Sequence, residues 1–150
     1  MKIVKLKTKS KKFKDFKNKE WENISHEHYG HARDPKVWEN KKVLYKATEG
    51  NDILGILSGE AMAGAFHLQE LVVTEKARGK GIGSKLLGVV LDKIKQDSSI
   101  KTVRLSVNKE QISAVRLYEK FGFQITGEES QKMGDGNDHT EYLMELVLQR

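Results

Sequence analysis

The fold is decided by one stretch of sequence, Arg78-Gly79-Lys80-Gly81-Ile82-Gly83, which follows the apolar run Leu71-Val72-Val73. Because glycines let the backbone approach a ligand, and because a helix N-terminus favours an anion, a loop of this kind that opens a helix is suited to a pyrophosphate. Apolar residues then recur at helical spacing, at Ile82, Leu86, Leu87, Val90, Leu91 and Ile94. The stretch is therefore predicted to join a strand to a helix.

Two common phosphate-binding motifs do not fit these residues. A P-loop requires Gly-Lys followed by Ser or Thr, whereas Lys80 is followed by Gly81. The dinucleotide fingerprint has a different glycine spacing and an acidic residue after the next strand. Taken alone, the loop is also compatible with an ordinary left-handed turn, so its assignment depends on a second motif.

The second motif reads Ala114-x-x-Leu117-Tyr118-Glu119-Lys120-x-Gly122-Phe123 and places one phenol near the end of a short helix. Together with Arg78-x-x-Gly81-x-Gly83, it resembles the GNAT superfamily of acyl-CoA-dependent N-acyltransferases. The resemblance extends over about residues 53–127. Two positions depart from the family pattern, because Glu75 stands where proline is frequent and Gln111 where asparagine is frequent.

The resemblance implies an α+β fold, an α/β/α sandwich. Its mixed sheet has six to seven strands, with splayed central parallel strands and about four flanking helices. We predict a single domain over residues 1–150. Strands are predicted in residues 2–7, 42–48, 53–58, 66–73, 102–107, 123–126 and 142–148. Helices are predicted in residues 13–30, 82–96 and 111–120, and residues 31–40 form either a further short helix or a loop.

The resemblance also implies where acetyl-CoA binds. The pyrophosphate contacts the backbone of the loop, Arg78 and Lys80 add positive charge, and Lys85 lies near the phosphorylated ribose. The pantetheine arm lies between the two parallel strands, where N–H groups near Leu71 and Val72 face the thioester oxygen. The predicted cofactor-binding residues are Leu71, Val72, Val73, Arg78, Gly79, Lys80, Gly81, Ile82, Gly83, Ser84, Lys85, Gln111, Ala114 and Tyr118.

Three residues are candidates for the chemistry. Tyr118 is predicted to donate to the departing sulfur, since phenol and thiol pKa values of about 10 and about 8.5 are close; the alternative is a core tyrosine. The amine must also lose a proton, because an ammonium group with a pKa of about 10.4 is neutral only about once in 2,500 at pH 7. Glu70 is the first candidate for this base and His67 the second, with a water chain as a further alternative.

The composition narrows the classes of protein. The absence of cysteine excludes disulfides, thiolate metal sites and a cysteinyl intermediate. No apolar run reaches the roughly 18 residues of a membrane helix, and the N-terminus lacks the apolar core of a signal peptide. We therefore expect a cytoplasmic protein without membrane contact. His26, His28 and His31 lack regular helical spacing, so no metal site is predicted.

The net charge of +6 arises from the N-terminal part of the chain. Residues 1–50 contain 14 Lys and Arg against 7 Asp and Glu, whereas residues 51–150 contain 13 against 14. Nucleic-acid binding is one interpretation, but the aromatic platform of single-strand binders is absent, so a solvated basic face is the simpler one.

The function predicted from these motifs is N-acetyl transfer from acetyl-CoA to a primary amine, by direct attack in a ternary complex. The alternatives are a non-catalytic acyl-CoA sensor and a basic RNA- or ribosome-associated module on the same fold. The sequence does not decide whether the acceptor is a small molecule or a protein, nor whether the protein is a monomer or a homodimer.

Overall fold

A seven-stranded sheet is the main element of the computed structural model, which describes residues 1–6, 43–132 and 138–149. Its strands are β1 (Lys2–Leu6), β2 (Val43–Glu49), β3 (Asp52–Met62), β4 (Ala65–Val73), β5 (Thr102–Asn108), β6 (Gln124–Lys132) and β7 (Asp138–Val147). They are ordered β1-β2-β3-β4-β5-β7-β6. β4 and β5 are parallel, whereas β1–β2, β2–β3, β5–β7 and β6–β7 are antiparallel. The predicted α+β class and mixed sheet are thus confirmed.

The predicted strands 42–48 and 53–58 form a hairpin, β2–β3. Glu49 lies opposite Asp52, so the turn consists of Gly50 and Asn51, a pair suited to a two-residue connection. The N-terminal edge strand also forms where the alternation of lysines with apolar residues predicts it.

The chain divides into two compact units, of which the first comprises Met1–Glu60 and Leu68–Gln96. Helix α1 (Ile82–Lys95) belongs to this unit, and all six apolar residues of the predicted helical pattern are buried in it. Gly55 on β3 allows α1 to approach the sheet closely. A Cβ atom at Gly55 would lie 3.0 Å from the Val72 carbonyl oxygen and 3.1 Å from Leu86 Cδ1.

The other face of the first unit's strands carries an apolar cluster of Leu6, Leu44, Ile56 and Val72. Ile56 follows Gly55 directly, and successive residues of a strand point to opposite faces. The cluster therefore lies on the face of β3 opposite to α1.

The second unit comprises Ala61–His67 and Asp97–Arg150. Its parallel pairing extends from Ala65↔Thr102 to His67↔Arg104, which confirms that the two strands are parallel as predicted. β5 then pairs with β7 along its whole length, so that β7 lies between β5 and β6. The sequence analysis did not predict this position of β7.

β6 extends to Lys132, six residues beyond the predicted strand end. The extension was missed because residues 128–130 are polar and exposed, which gives no apolar alternation, and because the register shifts between Ile125 and Gly127. Pairing with β7, rather than burial, forms this part of the strand.

Two of the predicted helices are α1 and α2 (Ile112–Lys120). The helix predicted in residues 13–30 and the helix or loop predicted in residues 31–40 lie outside the described residues, as do the histidines at 26, 28 and 31 and most of the basic N-terminal segment. Neither α1 nor α2 has the length and apolar content of a transmembrane segment.

Candidate active site

In the first unit, the chain turns sharply between the end of β4 and the start of α1. The backbone N–H of Thr74 donates to the Leu54 carbonyl at 2.9 Å, and its hydroxyl donates to the same oxygen at 3.2 Å. A 3-10 helix, Glu75–Ala77, follows and buries Ala77. Glu75 is thus the exposed first residue of this helix, a position that does not require the proline frequent in the family.

The Arg78 side chain folds back over this turn. Its Nε atom donates to the Val73 carbonyl oxygen at 3.1 Å, although the side chain is exposed. The bond links the predicted phosphate loop to the end of β4 and fixes where the guanidinium charge lies. Lys80 and Lys85 are exposed, and their charges therefore reach solvent next to the same loop.

Gly81 is the N-cap of α1 and has a left-handed conformation, with φ of 77° and ψ of 15°. This conformation is strained for other residues. The first helical bond runs from Lys85 N–H to the Gly81 carbonyl at 3.1 Å, so the N–H groups of Ile82, Gly83 and Ser84 precede the helical ladder. No acidic residue lies in the first turn, which leaves the positive end of the helix dipole uncompensated there.

Among the described residues, the space above the loop is open. A Cβ atom built at Gly79 or at Gly81 would meet none of their atoms within 4 Å. The glycines are therefore required for backbone conformation and not by protein packing, and the open space is available to a ligand that contacts the backbone.

In the second unit, Tyr118 is held by the cap that ends α2. Gly122, with φ of 98°, donates its N–H to Glu119, and Phe123 donates to the Tyr118 carbonyl, each at 3.0 Å. These bonds form a Schellman motif, in which a residue beyond the cap usually packs on the last helical turn. Here the Phe123 and Tyr118 rings are in edge contact, with centroids 5.6 Å apart. The motif thus determines where the Tyr118 ring lies.

Burial raises the pKa of the Tyr118 phenol well above its ordinary value of 10.0, because ionisation would place a charge in an apolar environment. The phenol therefore stays protonated at neutral pH and can act as a hydrogen-bond donor. The pKa values of a free phenol and a free thiol are close, but burial of Tyr118 makes the difference between them larger.

The two candidate bases point to opposite faces of β4, because an odd number of positions separates them. Glu70 shares its face with Val72 and is buried, with 5% of its surface exposed. His67 is half-buried and lies beside Arg104 in the parallel register; Arg104 forms a 2.8 Å salt bridge with Glu145. The sequence could not distinguish these faces because strand register was not known.

The remaining predicted cofactor residues differ in exposure. Val72 is buried, and its neighbours Leu71 and Val73 are half-buried. Gln111 is the exposed N-cap of α2 and makes no side-chain capping bond, and Ala114 is half-buried one turn later. The structure brings residues 70–85 together in the first unit, and His67, Gln111, Ala114 and Tyr118 belong to the second.

The arrangement of loop and helix agrees with the comparison with known families. The family model of the acetyltransferase (GNAT) domain matches residues 9–146. The chain belongs to this family.

Curated relatives of this GNAT chain match over part of their length. Spermine/spermidine N(1)-acetyltransferase of Bacillus subtilis (strain 168) is 35% identical over 65 residues, which are 43% of each chain. The uncharacterized N-acetyltransferase YobR of the same strain is 30% identical over 87 residues, which are 58% of this chain and 35% of that protein. The chain therefore spans less than half the length of these relatives.

Solved structures share the fold at low identity. The ribosomal-protein-S18-alanine N-acetyltransferase from Escherichia coli has a TM-score of 0.80 and 18% identity, over 99% of this chain and 94% of that chain. The structure of yncA from Salmonella typhimurium with its cofactor acetyl-CoA has a TM-score of 0.77 and 16% identity. The match covers 100% of this chain and 95% of that chain.

One polar residue of this GNAT chain escaped the sequence analysis. Ser58 on β3 is fully buried, and its hydroxyl makes no hydrogen bond to any described residue. A serine in an apolar strand carries no motif, so only the structure identifies it. Among the described residues, no three His, Asp or Glu side chains are placed to hold a metal ion.

Proposed function

We propose that the protein is an N-acetyltransferase that transfers an acetyl group from acetyl-CoA to a primary amine. The observation that carries the proposal is the loop at Gly81, where a left-handed glycine opens a helix that has no acidic residue in its first turn and open space above the backbone. A pyrophosphate fits such a site because it accepts hydrogen bonds from backbone N–H groups and complements the helix dipole.

The chemistry is a direct acyl transfer. The amine nitrogen attacks the thioester carbonyl carbon, the new C–N bond forms, and the C–S bond breaks to give an amide and the thiol of CoA. The amine proton passes to Glu70, directly or through water, and the sulfur is protonated from Tyr118. Both residues then exchange protons with solvent and return to their starting states.

Glu70 is the proposed base because it is a carboxylate that β4 holds in a buried position, with 5% of its surface exposed. Removing a proton from a lysine-like ammonium at pH 7 costs about 4.6 kcal/mol, most of which a base can supply. His67, on the other face of β4, is the second candidate.

Tyr118 is the proposed proton donor to sulfur. Because burial keeps its phenol protonated, it is ready to donate throughout the neutral range. Its hydrogen bond stabilises the charge that develops on sulfur, before the proton is transferred.

The acceptor class is also a proposal. Spermine and spermidine are the first amines to test, because a relative that shares 65 aligned residues is named for acetylating them. Small monoamines, lysine side chains and protein N-termini complete the panel. We further propose that the chain acts as one domain, in the cytoplasm, as a monomer or homodimer.

Calorimetric titration with acetyl-CoA, followed by a thiol-release assay over the amine panel, tests the function. Binding with amine-dependent release is expected. Binding without release from any amine would favour the acyl-CoA sensor. Failure to bind would contradict the assignment of the phosphate loop and leave the basic RNA- or ribosome-associated module as the alternative.

A further inference from the structure

Ser58 is a buried hydroxyl that makes no hydrogen bond within the described part of the chain. Its exposed fraction is 0%, and its Oγ atom neither donates nor accepts a hydrogen bond in the conformation observed. Most buried polar side chains are bonded, because burial removes their hydrogen bonds to water and destabilises the fold unless they are replaced. A serine at such a position calls for an explanation other than packing, since alanine would fill nearly the same space.

Ser58 and Glu70 lie on the same face of neighbouring strands. The regular register of β2 with β3 pairs Leu44 with Ser58, so Ser58 points to the side of Leu44 and of Ile56. Val72 packs in one cluster with both of those residues. Glu70 is two positions from Val72 on β4, and the residues of this face, at positions 66, 68, 70 and 72, are all buried.

The two polar side chains also lie at the same level along the strands. β3 and β4 are joined through Ala63 and Gly64 and are therefore antiparallel, and Thr74 N–H donates to the Leu54 carbonyl at 2.9 Å. The turn at Ala63 and Gly64 pairs Met62 with Ala65, which is one residue out of the register that this bond sets, so β4 contains one extra residue between the two points. The alternation of buried residues on β4 is broken only where Ala65 and Phe66 are both buried, and the shift fits there. Pairing from Thr74 as far as Glu70 then places Ile56 opposite Val72 and Ser58 opposite Glu70. Cβ atoms of opposite residues are about 4.5–5.5 Å apart, a span that a serine-to-carboxylate hydrogen bond fits.

We propose that Ser58 is a positioning residue for Glu70. In the reacting state, rotation about its Cα–Cβ bond lets the hydroxyl donate to the Glu70 carboxylate, and this bond fixes the orientation of the carboxylate while it takes the amine proton. The inference rests on the proposed function, in which Glu70 is the base. Ser58 and Glu70 are the buried polar residues of the described chain, and both belong to the first unit.

A matched pair of variants isolates the hydroxyl. Ser58→Thr and Ser58→Val add nearly equal volume, suit a strand, and differ only in the hydroxyl group. Ser58→Thr should retain most of the parent kcat, whereas Ser58→Val and Ser58→Ala should lose about 10- to 100-fold, as expected for a hydrogen bond to a charged group. The KM for acetyl-CoA should not change. Ile56→Val controls for packing on the same face and should keep the parent kcat.

A double-mutant cycle tests whether Ser58 acts through Glu70. In a Glu70→Gln background, Ser58→Ala should change kcat by less than about twofold, because neighbouring groups that act together are non-additive. An equal loss of kcat in both backgrounds would overturn the proposal, as would equal activities of the Thr and Val variants.

The same four proteins also provide a measurement that does not require turnover. In urea unfolding, Ser58→Ala and Glu70→Gln should be coupled by more than about twofold in the unfolding equilibrium constant, since cross-strand neighbours interact. Additive effects would overturn the pairing itself. If the parent releases no thiol with any amine while the stability coupling is present, the proposed function fails and the Ser58–Glu70 pair remains established.

Discussion

Gly81→Leu places a side chain directly above the predicted phosphate loop. The φ of 77° lies in the left-handed region, where a residue other than glycine is destabilised by roughly 1–2 kcal/mol. No atom of residues 1–6, 43–132 or 138–149 lies within 4 Å of the Cβ position, so no clash with them adds to this value. Gly50→Leu is a matched control, because Gly50 also has a left-handed φ of 58° and open space around its Cβ position, but lies in the β2–β3 turn. Both variants should fold with a similar loss of stability.

Coenzyme binding then separates the two variants. A ligand that binds only the folded state stabilises it by about 2.7 kcal/mol at 100 times its Kd. For a chain of 150 residues, this corresponds to a rise in Tm of about 5–11 °C. Differential scanning fluorimetry with acetyl-CoA should show this rise for the parent and for Gly50→Leu. The rise should be absent or much reduced for Gly81→Leu, because the leucine occupies the space that the pyrophosphate requires.

Equal melting shifts for Gly81→Leu and Gly50→Leu would refute this reasoning, since they would show that the coenzyme does not use the space above Gly81. Loss of the shift in both variants would point to the backbone strain and not to the site. Circular dichroism of each variant without ligand establishes that both remain folded.

The catalytic and packing assignments give further predictions. Tyr118→Phe should keep coenzyme affinity and lower kcat about 100-fold or more in a thiol-release assay; an unchanged kcat, with chemistry rate-limiting, would leave it a packing residue. Because burial raises the pKa of this phenol, the parent should lose stability relative to Tyr118→Phe above about pH 10, by up to roughly 1.4 kcal/mol per pH unit in urea unfolding; parallel curves would contradict the raised pKa. Glu70→Gln, but not His67→Ala, should move the pH–rate profile to higher pH; the reverse result would exchange their roles. Gly55→Ala should destabilise the fold by about 1–3 kcal/mol, because its Cβ would lie 3.0 Å from the Val72 oxygen; an unchanged urea midpoint would show that α1 is not closely packed there.

Sequence patterns correctly predicted the helices and turns that form through residues close together in the chain. The six apolar residues of α1 are buried as their spacing predicts, and the turn at Gly50 and Asn51 follows from its composition. Gly81 has the left-handed conformation expected of a glycine before a helix. Each of these features depends on residues close together in the chain, which a single sequence displays directly.

Features that depend on pairing between distant residues were not predictable in the same way. The position of β7 between β5 and β6 and the length of β6 follow from pairing partners and not from apolar alternation. The face of β4 that carries Glu70 is known only once Val72 is seen to pack with Leu44 and Ile56. Ser58 is the clearest case, because its importance arises from burial and from the strand beside it.

Two explanations apply to the motif around Tyr118: a helix cap and the proposed catalytic role. Most residues of the motif fit both. The Schellman cap accounts for Gly122, which needs the left-handed conformation, and for Phe123, which packs against the Tyr118 ring. A phenylalanine at position 118 would make the same ring contact, so the cap explains an aromatic residue there but not its hydroxyl. Burial makes that hydroxyl harder to ionise, which suits a donor that must keep its proton until charge develops on a nearby atom. The cap therefore leaves the hydroxyl unexplained, and the comparison of tyrosine with phenylalanine at this position tests the proposed chemistry without disturbing the cap.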